Sequence, residues 1–221
     1  MKTLLLNGCS FIHGWNPNEW FAEHDIVNLA EFGGSNQRTF RTTIEWIANN
    51  GNPDFVIIGL TYDTRDEMVF WNKGTEYCKY SPTMLEHTPV DYKAILTDSL
   101  VIEDRLSKVD KLFTNIIMLS GFLRSRSVPH LFVNMCERYD LTDLSRYYYL
   151  KPKIELIKQN QNIVDLQFVG NIHLHRNGAS SRDVYDDPCG KHYEKSDYHI
   201  LENYLNTYRI KIEQEFKNGD H

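Results

Sequence analysis

Five short apolar runs, at residues 3–6, 26–30, 55–60, 130–135 and 163–168, constrain the fold of this chain more than any other feature of it. Each is continuous rather than alternating. A strand with one wet face shows a polar residue at every second position, whereas a strand covered on both faces has no reason to, so such runs belong to parallel sheets sandwiched between helices. The weakest of the five is the last.

The intervening segments carry the helical period that such a sheet requires. Ser35 is placed to cap a helix in which Phe40, Ile44 and Ile47 share a face, and Gly51 followed by Pro53 supplies its stop. Thr97 or Asp98 is expected to cap a longer helix whose stripe of Ile102, Leu106, Val109, Phe113, Ile116 and Leu123 lies against the sheet. Ile200, Leu201, Tyr204, Leu205, Tyr208 and Ile212 mark a C-terminal helix. The resulting order, β-α-β-α-β-α-β-α-β, predicts an α/β fold: a three-layer α/β/α sandwich around a five-stranded parallel sheet. No repeat or linker divides it, and 221 residues suit one domain spanning 1–221. Residues 66–93 are long, mixed in character and rich in aromatics, and read as an insertion or lid beside the sheet.

Charge and cysteine usage remove several functional classes. Lys and Arg total 24 against 30 Asp and Glu, a formal charge of −6, which argues against a protein whose main work is neutralising phosphates; no nucleic-acid partner is expected. Cys9, Cys78, Cys136 and Cys189 lie far apart with no C-x-x-C pair, so neither a zinc ribbon nor a disulfide framework is written here, and a reducing, cytoplasmic location is expected. The apolar run before Asn7 and Gly8 is too short for a signal peptide or a membrane span, so no membrane association is expected. Oligomeric state leaves no signature.

In open parallel sheets ligands bind beyond the carboxyl ends of the strands. Three ends carry small or polar residues: Asn7-Gly8-Cys9-Ser10-Phe11, then Asn28 through Gly33-Gly34-Ser35-Asn36, then Gly59-Leu60-Thr61-Tyr62-Asp63-Thr64-Arg65. Ser10 in a tight turn can project its hydroxyl from the sheet edge, while its own amide and that of Gly33 or Gly34 can face a developing oxyanion. A general base is offered by His192 or His199, with Asp186, Asp187 and Asp197 nearby to orient an imidazole. Cys9 beside Ser10 is the rival nucleophile, but burial is the commoner fate of a small cysteine.

At these residues the chain resembles the SGNH or GDSL hydrolase superfamily, in the branch whose nucleophile block reads G-C-S-F. Gly8-Cys9-Ser10-Phe11 matches that first block, the stretch from Asn28 to Asn36 is similar to the second, and Asp186-Asp187-Pro188-Cys189-Gly190-Lys191-His192 stands where the last block lies. The resemblance implies a flavodoxin-like SGNH fold and a serine esterase or O-deacylase, or a related acyltransferase using the same acyl-enzyme, without metal or organic cofactor. It assigns Ser10 as nucleophile, His192 as base and Asp187 as its orienting carboxylate, with Gly33, Gly34, Asn36 and Thr61 around the oxyanion. Three departures stand out. Thr61 occupies the position where the family usually has Asn, Cys189 rather than an Asp lies three residues before His192, and Tyr193 follows His192 where Pro is common. His199 therefore remains an alternative base.

Other residues bear on the ligand. Arg65 is placed either to bind an anionic substrate group or to pair with Glu67 or Asp63, and one of Arg38 and Arg41 can face the cleft. The aromatic count is high, 13 Tyr, 11 Phe and 4 Trp. Tyr147-Tyr148-Tyr149, with Trp71, Tyr77 and Tyr80, can form a stacking platform for sugar rings, which points to an ester of a carbohydrate or small molecule; packing between layers is the plainer account of most of them. His173 and His175 share a face if that stretch is extended and, with His192 or His199, would make a zinc site for a metal-dependent hydrolase; two surface histidines are the simpler reading, and no metal is expected. A catalytically inactive binding protein of the same fold is the rival from another functional class.

Overall fold

The computed structural model describes residues 2–13, 15, 17, 21–63, 65–70, 76–80, 104–135, 139 and 141–160, and residues 202, 203, 205, 206, 208, 210, 212 and 214. Strands β1 (Lys2–Asn7), β2 (His24–Asn28), β3 (Phe55–Leu60) and β6 (His130–Asn134) form a parallel sheet in the order β2-β1-β3-β6. Between β3 and β6, β4 (Asp66–Phe70) and β5 (Glu76–Tyr80) pair antiparallel as a separate two-stranded sheet. The helices are α1 (Ser10–His13), α2 (Asn36–Asn50), α3 (Arg105–Ser125), α4 (Leu141–Leu144) and α5 (Lys151–Gln159), followed by helical backbone at the described positions from 202 to 214.

Both faces of the sheet are buried, as the continuous apolar runs require. Alternate side chains of a strand point to opposite faces. Leu4, Leu6, Phe55, Ile57, Leu131 and Val133 meet Ile12, Leu205 and Ile212 on one face. Leu5, Val56, Ile58 and Phe132 meet Phe40 and Ile47 of α2, Phe113 and Ile116 of α3, and Ile154 and Ile157 of α5 on the other. The fold is thus α/β, with a four-stranded parallel sheet among the described residues and helices on both sides; the fifth run, 163–168, lies outside them.

Where element boundaries differ from the sequence expectation, local chemistry explains the shift. β2 runs over His24–Asn28, two residues earlier than the apolar run, because it is the outermost described strand and pairs only with β1, which lets His24 and Asp25 take part. It ends where the Asn28 side chain folds back to accept the Ala30 amide at 2.9 Å. Ser35 does cap α2, its Oγ accepting the Arg38 amide at 3.1 Å, and Gly51 (φ 89°) ends it by donating to the Ile47 carbonyl. Its inner face, however, is Thr39, Phe40, Thr43 and Ile47, while Ile44 is 40% exposed. The polar strip serves Asn7 at the end of β1, whose Nδ2 donates toward the Thr39 carbonyl and the Thr42 and Thr43 hydroxyls at 2.8–2.9 Å. α3 starts at Arg105 and is capped by Asp104, not by Thr97 or Asp98: Asp104 is extended and its Oδ1 accepts the Ser107 amide at 2.7 Å, and Thr97, Asp98 and Ile102 lie outside the described residues. Leu112 and Leu119 join that stripe.

The expected insertion begins as the β4–β5 hairpin, tied to α2 through Arg41, which donates to both Glu67 carboxylate oxygens at 2.9 Å. Residues 81–93 of it lie outside the described residues. Among the described residues no helix is long and apolar enough to cross a membrane.

Candidate functional site

The strand order locates the crevice. From β1 the chain winds outward to β2, then crosses back over β1 to β3 and continues to β6. The winding reverses between β1 and β3, and the carboxyl ends of those two strands are where an open parallel sheet leaves room for a ligand. They end in Gly8-Cys9-Ser10 and Thr61-Tyr62-Asp63.

Glycine allows these ends to close up. A Cβ on Gly8 would lie 2.8 Å from both the Gly59 carbonyl oxygen and Ile12 Cγ1, and one on Gly59 would overlap Ile12 outright. The first turn of α1 therefore rests on bare backbone. Cys9 is fully buried within the core layer of Leu4 and Leu6, so the thiol packs inward. Ser10 starts α1 and is 8% exposed, and neither its hydroxyl nor its amide has a hydrogen-bond partner among the described residues. Of the two adjacent candidate nucleophiles, Ser10 is the one that retains some exposure.

The second loop is fastened to the first. The Glu31 amide donates to the Gly8 carbonyl at 3.2 Å, and Gly34 packs so closely that a Cβ there would stand 3.0 Å from the same oxygen. The Gly34 amide donates to the Glu31 carbonyl at 3.0 Å, closing a turn whose third residue, Gly33, has φ 69°, a left-handed value that glycine adopts without strain. The Gly34 amide is thus committed to the turn, and the Gly33 amide is the one without a partner among the described residues. Arg38 braces the loop, its Nε 2.6 Å from Glu31 and its Nη1 donating to the Leu29 carbonyl at 3.1 Å. Neither Arg38 nor Arg41 is a ligand-facing cation on this geometry, since Arg41 is engaged by Glu67 and Glu45.

Asn36 and Thr61 are brought together, but as partners of each other. The Thr61 amide donates to Asn36 Oδ1 and Asn36 Nδ2 donates to the Thr61 carbonyl, both at 2.9 Å. Asn36 accordingly positions the end of β3 instead of reaching toward Ser10. Arg65 donates through Nη1 to the Thr61 hydroxyl at 3.1 Å and lies 5.1 Å from the Tyr62 ring centroid. Neither expected acid partner claims it: Glu67 pairs with Arg41, and buried Asp63 faces Arg105 at 4.0 Å.

Several features escaped sequence reasoning. His13, one turn beyond Ser10, donates from Nδ1 to the Ala30 carbonyl at 3.0 Å and packs against Phe32 at 4.5 Å between centroids. Its adjacency to the second loop has no local sequence signal. Beyond Arg65 opens a cleft of about 290 Å3, solvent at its mouth included, lined by Asn36, Asp63, Arg65, Lys108, Lys111 and Asn115 among others. The signal for it is the cation every third residue at the start of α3.

The aromatic ledge is exposed. Tyr147, Tyr148 and Tyr149 are 39%, 87% and 38% accessible, with ring centroids 5.5 Å apart for Tyr148 and Tyr149. Desolvation, and then the carboxylates of Asp104 and Asp110, raise the Tyr149 phenol above its ordinary value. His192, His199, Asp186, Asp187 and Asp197, and the histidine pair His173 and His175, lie outside the described residues, as does Trp71. Among the described residues no cluster of His, Cys, Asp or Glu is suited to hold a metal ion. No known family model matches the chain, and no curated protein matches it in sequence.

Proposed function

We propose that this chain is a serine hydrolase of the SGNH type, an esterase or O-deacylase acting on an acyl ester of a carbohydrate or small molecule. In this reading residues 163–168 add the fifth parallel strand of a flavodoxin-like α/β/α sandwich. The observation that carries it is the placement of Ser10: an uncommitted hydroxyl on the first residue of a helix, at the strand end where the winding reverses. Ser10 Oγ attacks the acyl carbon while His192 takes its proton and Asp187 orients the ring. The amides of Ser10 and Gly33 receive the oxyanion. Collapse of the tetrahedral intermediate expels the alcohol, which recovers the proton from His192, and water then releases the acid by the same route. No metal or organic cofactor is required. The exposed tyrosines 147 to 149 support a sugar-bearing substrate, since pyranose faces stack on such rings.

A second reading is favoured by one observation. Gly34 and Asn36, two of the expected oxyanion donors, are engaged elsewhere, as a binding protein without turnover would tolerate. A fluorophosphonate probe separates the two. Labelling of the wild type that is lost in Ser10→Ala and His192→Ala supports the enzyme. Loss in His199→Ala with retention in His192→Ala moves the base to His199. No labelling, together with no hydrolysis of p-nitrophenyl acetate, selects the binder.

A further inference from the structure

The first two turns of α3 break a local rule. Arg105, Lys108 and Lys111 follow one another at a spacing of three, so like charges stack along one face, and α3 has no acidic residue in its first turn. The amino end of a helix carries partial positive charge and favours anions, so cations there add to the repulsion. Lys108 and Lys111 line the same cleft as Arg65, where Asp63 is the one carboxylate among the lining residues. Asp63 faces Arg105. Arg65 is preset, its guanidinium held by the Thr61 hydroxyl and laid against Tyr62, which leaves further N–H groups to donate. Asn36 and Gln37 of the first turn of α2 complete the wall, so the positive end of a second helix faces the same space. In a chain of formal charge −6, this concentration of positive charge is local.

We propose that this cleft binds an oxyanion group, a phosphate or a carboxylate, through Arg65, Lys108 and Lys111. The cleft is shallow and open to solvent, a shape that suits a small ion and not an extended chain. Arg65 supplies the paired donors that planar or tetrahedral oxyanions accept, and the two lysines supply point charges. Joined to the serine-hydrolase reading, on which this last step alone rests, the site makes the substrate an ester whose alcohol or acyl part also carries an anionic group; the Thr61–Arg65 contact fixes that group beyond the carboxyl end of β3, the strand that pairs with β1, whose own carboxyl end leads to Ser10.

Titration of the full chain with inorganic phosphate and with acetate, followed calorimetrically and by amide NMR shifts, tests the site. Saturable binding is expected, weakened about tenfold or more in Arg65→Gln and in the double variant Lys108→Gln/Lys111→Gln, restored in part by Lys108→Arg/Lys111→Arg, and unchanged in the remote Lys151→Gln. Whichever ion binds more tightly names the group. Failure of both ions to bind, or binding that survives both Gln variants in chains that melt like the wild type, overturns the proposal. Ser10→Ala must keep the affinity. If it does while the wild type resists the fluorophosphonate probe, the anion site stands and the hydrolase reading falls.

Discussion

Asn36 and Thr61 share a closed ring of two hydrogen bonds, each 2.9 Å long, between a side-chain amide and a strand-end backbone. An amide is the one side chain that can both donate to and accept from a peptide unit in this way. The ring matters because β3 stops at Leu60, so the Thr61 backbone is beyond the ladder and, being buried, must find partners elsewhere. Through it the first residue of α2 fixes the turn that presents Arg65, and with it one wall of the cleft that Lys108 and Lys111 also line.

Replacing Asn36 tests how much of the site hangs on that ring. Asn36→Ala strands a buried N–H and a buried carbonyl and should cost about 2–4 kcal/mol by denaturant unfolding. Asn36→Asp keeps the shape and the acceptor but turns a donor into an acceptor facing the Thr61 carbonyl, so it should fare no better than Ala. Equal stability of Asp and wild type would show the ring to be dispensable.

The contact of α1 with bare backbone predicts a coupling. Gly59→Ala drives a methyl into Ile12, and overpacking of this kind costs about 1–3 kcal/mol. Ile12→Ala, which alone opens a cavity in the buried layer, should offset part of that cost when combined with Gly59→Ala, giving an interaction energy of about 1 kcal/mol or more in a double-mutant cycle. Strict additivity would mean that the helix shifts away instead. Since Ser10 rides on the same turn, a shift would also reduce its reaction with the probe.

Much of this scaffold was legible because its signals are local. β3 begins and ends where its apolar run does, since a strand buried on both faces has no polar position to blur its limits. Ser35 and Gly51 announce the ends of α2 by chemistry that acts within four residues. What escaped is long-range. Nothing near Thr39, Thr42 or Thr43 reveals that Asn7, more than thirty residues away, turns that strip inward and Ile44 outward. Thr97, Asp98 and Asp104 are all capable caps, and only the extended backbone at Asp104 selects among them. Likewise, the residues that resemble an oxyanion block are present at the strand ends, but which of their donors remain uncommitted depends on turns that residue identity alone does not specify.

The Arg41–Glu67 ion pair should help to hold the hairpin against α2. Glu67 is nearly buried and accepts from Arg41 through both carboxylate oxygens, and these bonds raise the Arg41 guanidinium above its ordinary range. Arg41→Ala leaves a carboxylate with little solvent and should destabilise the chain by about 2–4 kcal/mol, whereas Arg41→Ala with Glu67→Gln should recover part of the loss. Hydrogen exchange within β4 and β5 is the direct readout: faster exchange there, with α3 unaffected, is expected in the single variant. Uniform change across the chain would show that the pair supports the whole fold.

Acid should find a specific weak point at His130. The ring is fully buried at the start of β6, and its Nδ1 faces the Val128 carbonyl at 2.8 Å, which fixes the proton on that nitrogen. Nε2 must then accept from Ser120, whose oxygen in turn accepts from Asn160, so every donor in the chain already has its direction. Burial pushes the imidazole pKa down from 6.5 to about 4. Between those values the unfolded chain binds a proton that the folded chain refuses, so stability is unaffected above pH 6.5 and falls as pH falls toward about 4. The loss attributable to this residue is on the order of 3 kcal/mol at the bottom of that window. Urea midpoints at pH 7 and pH 4.5 for the wild type and His130→Gln isolate it from the carboxylates, which titrate in both. The variant should start less stable and lose less on acidification; parallel losses would mean that His130 is protonated in the folded chain.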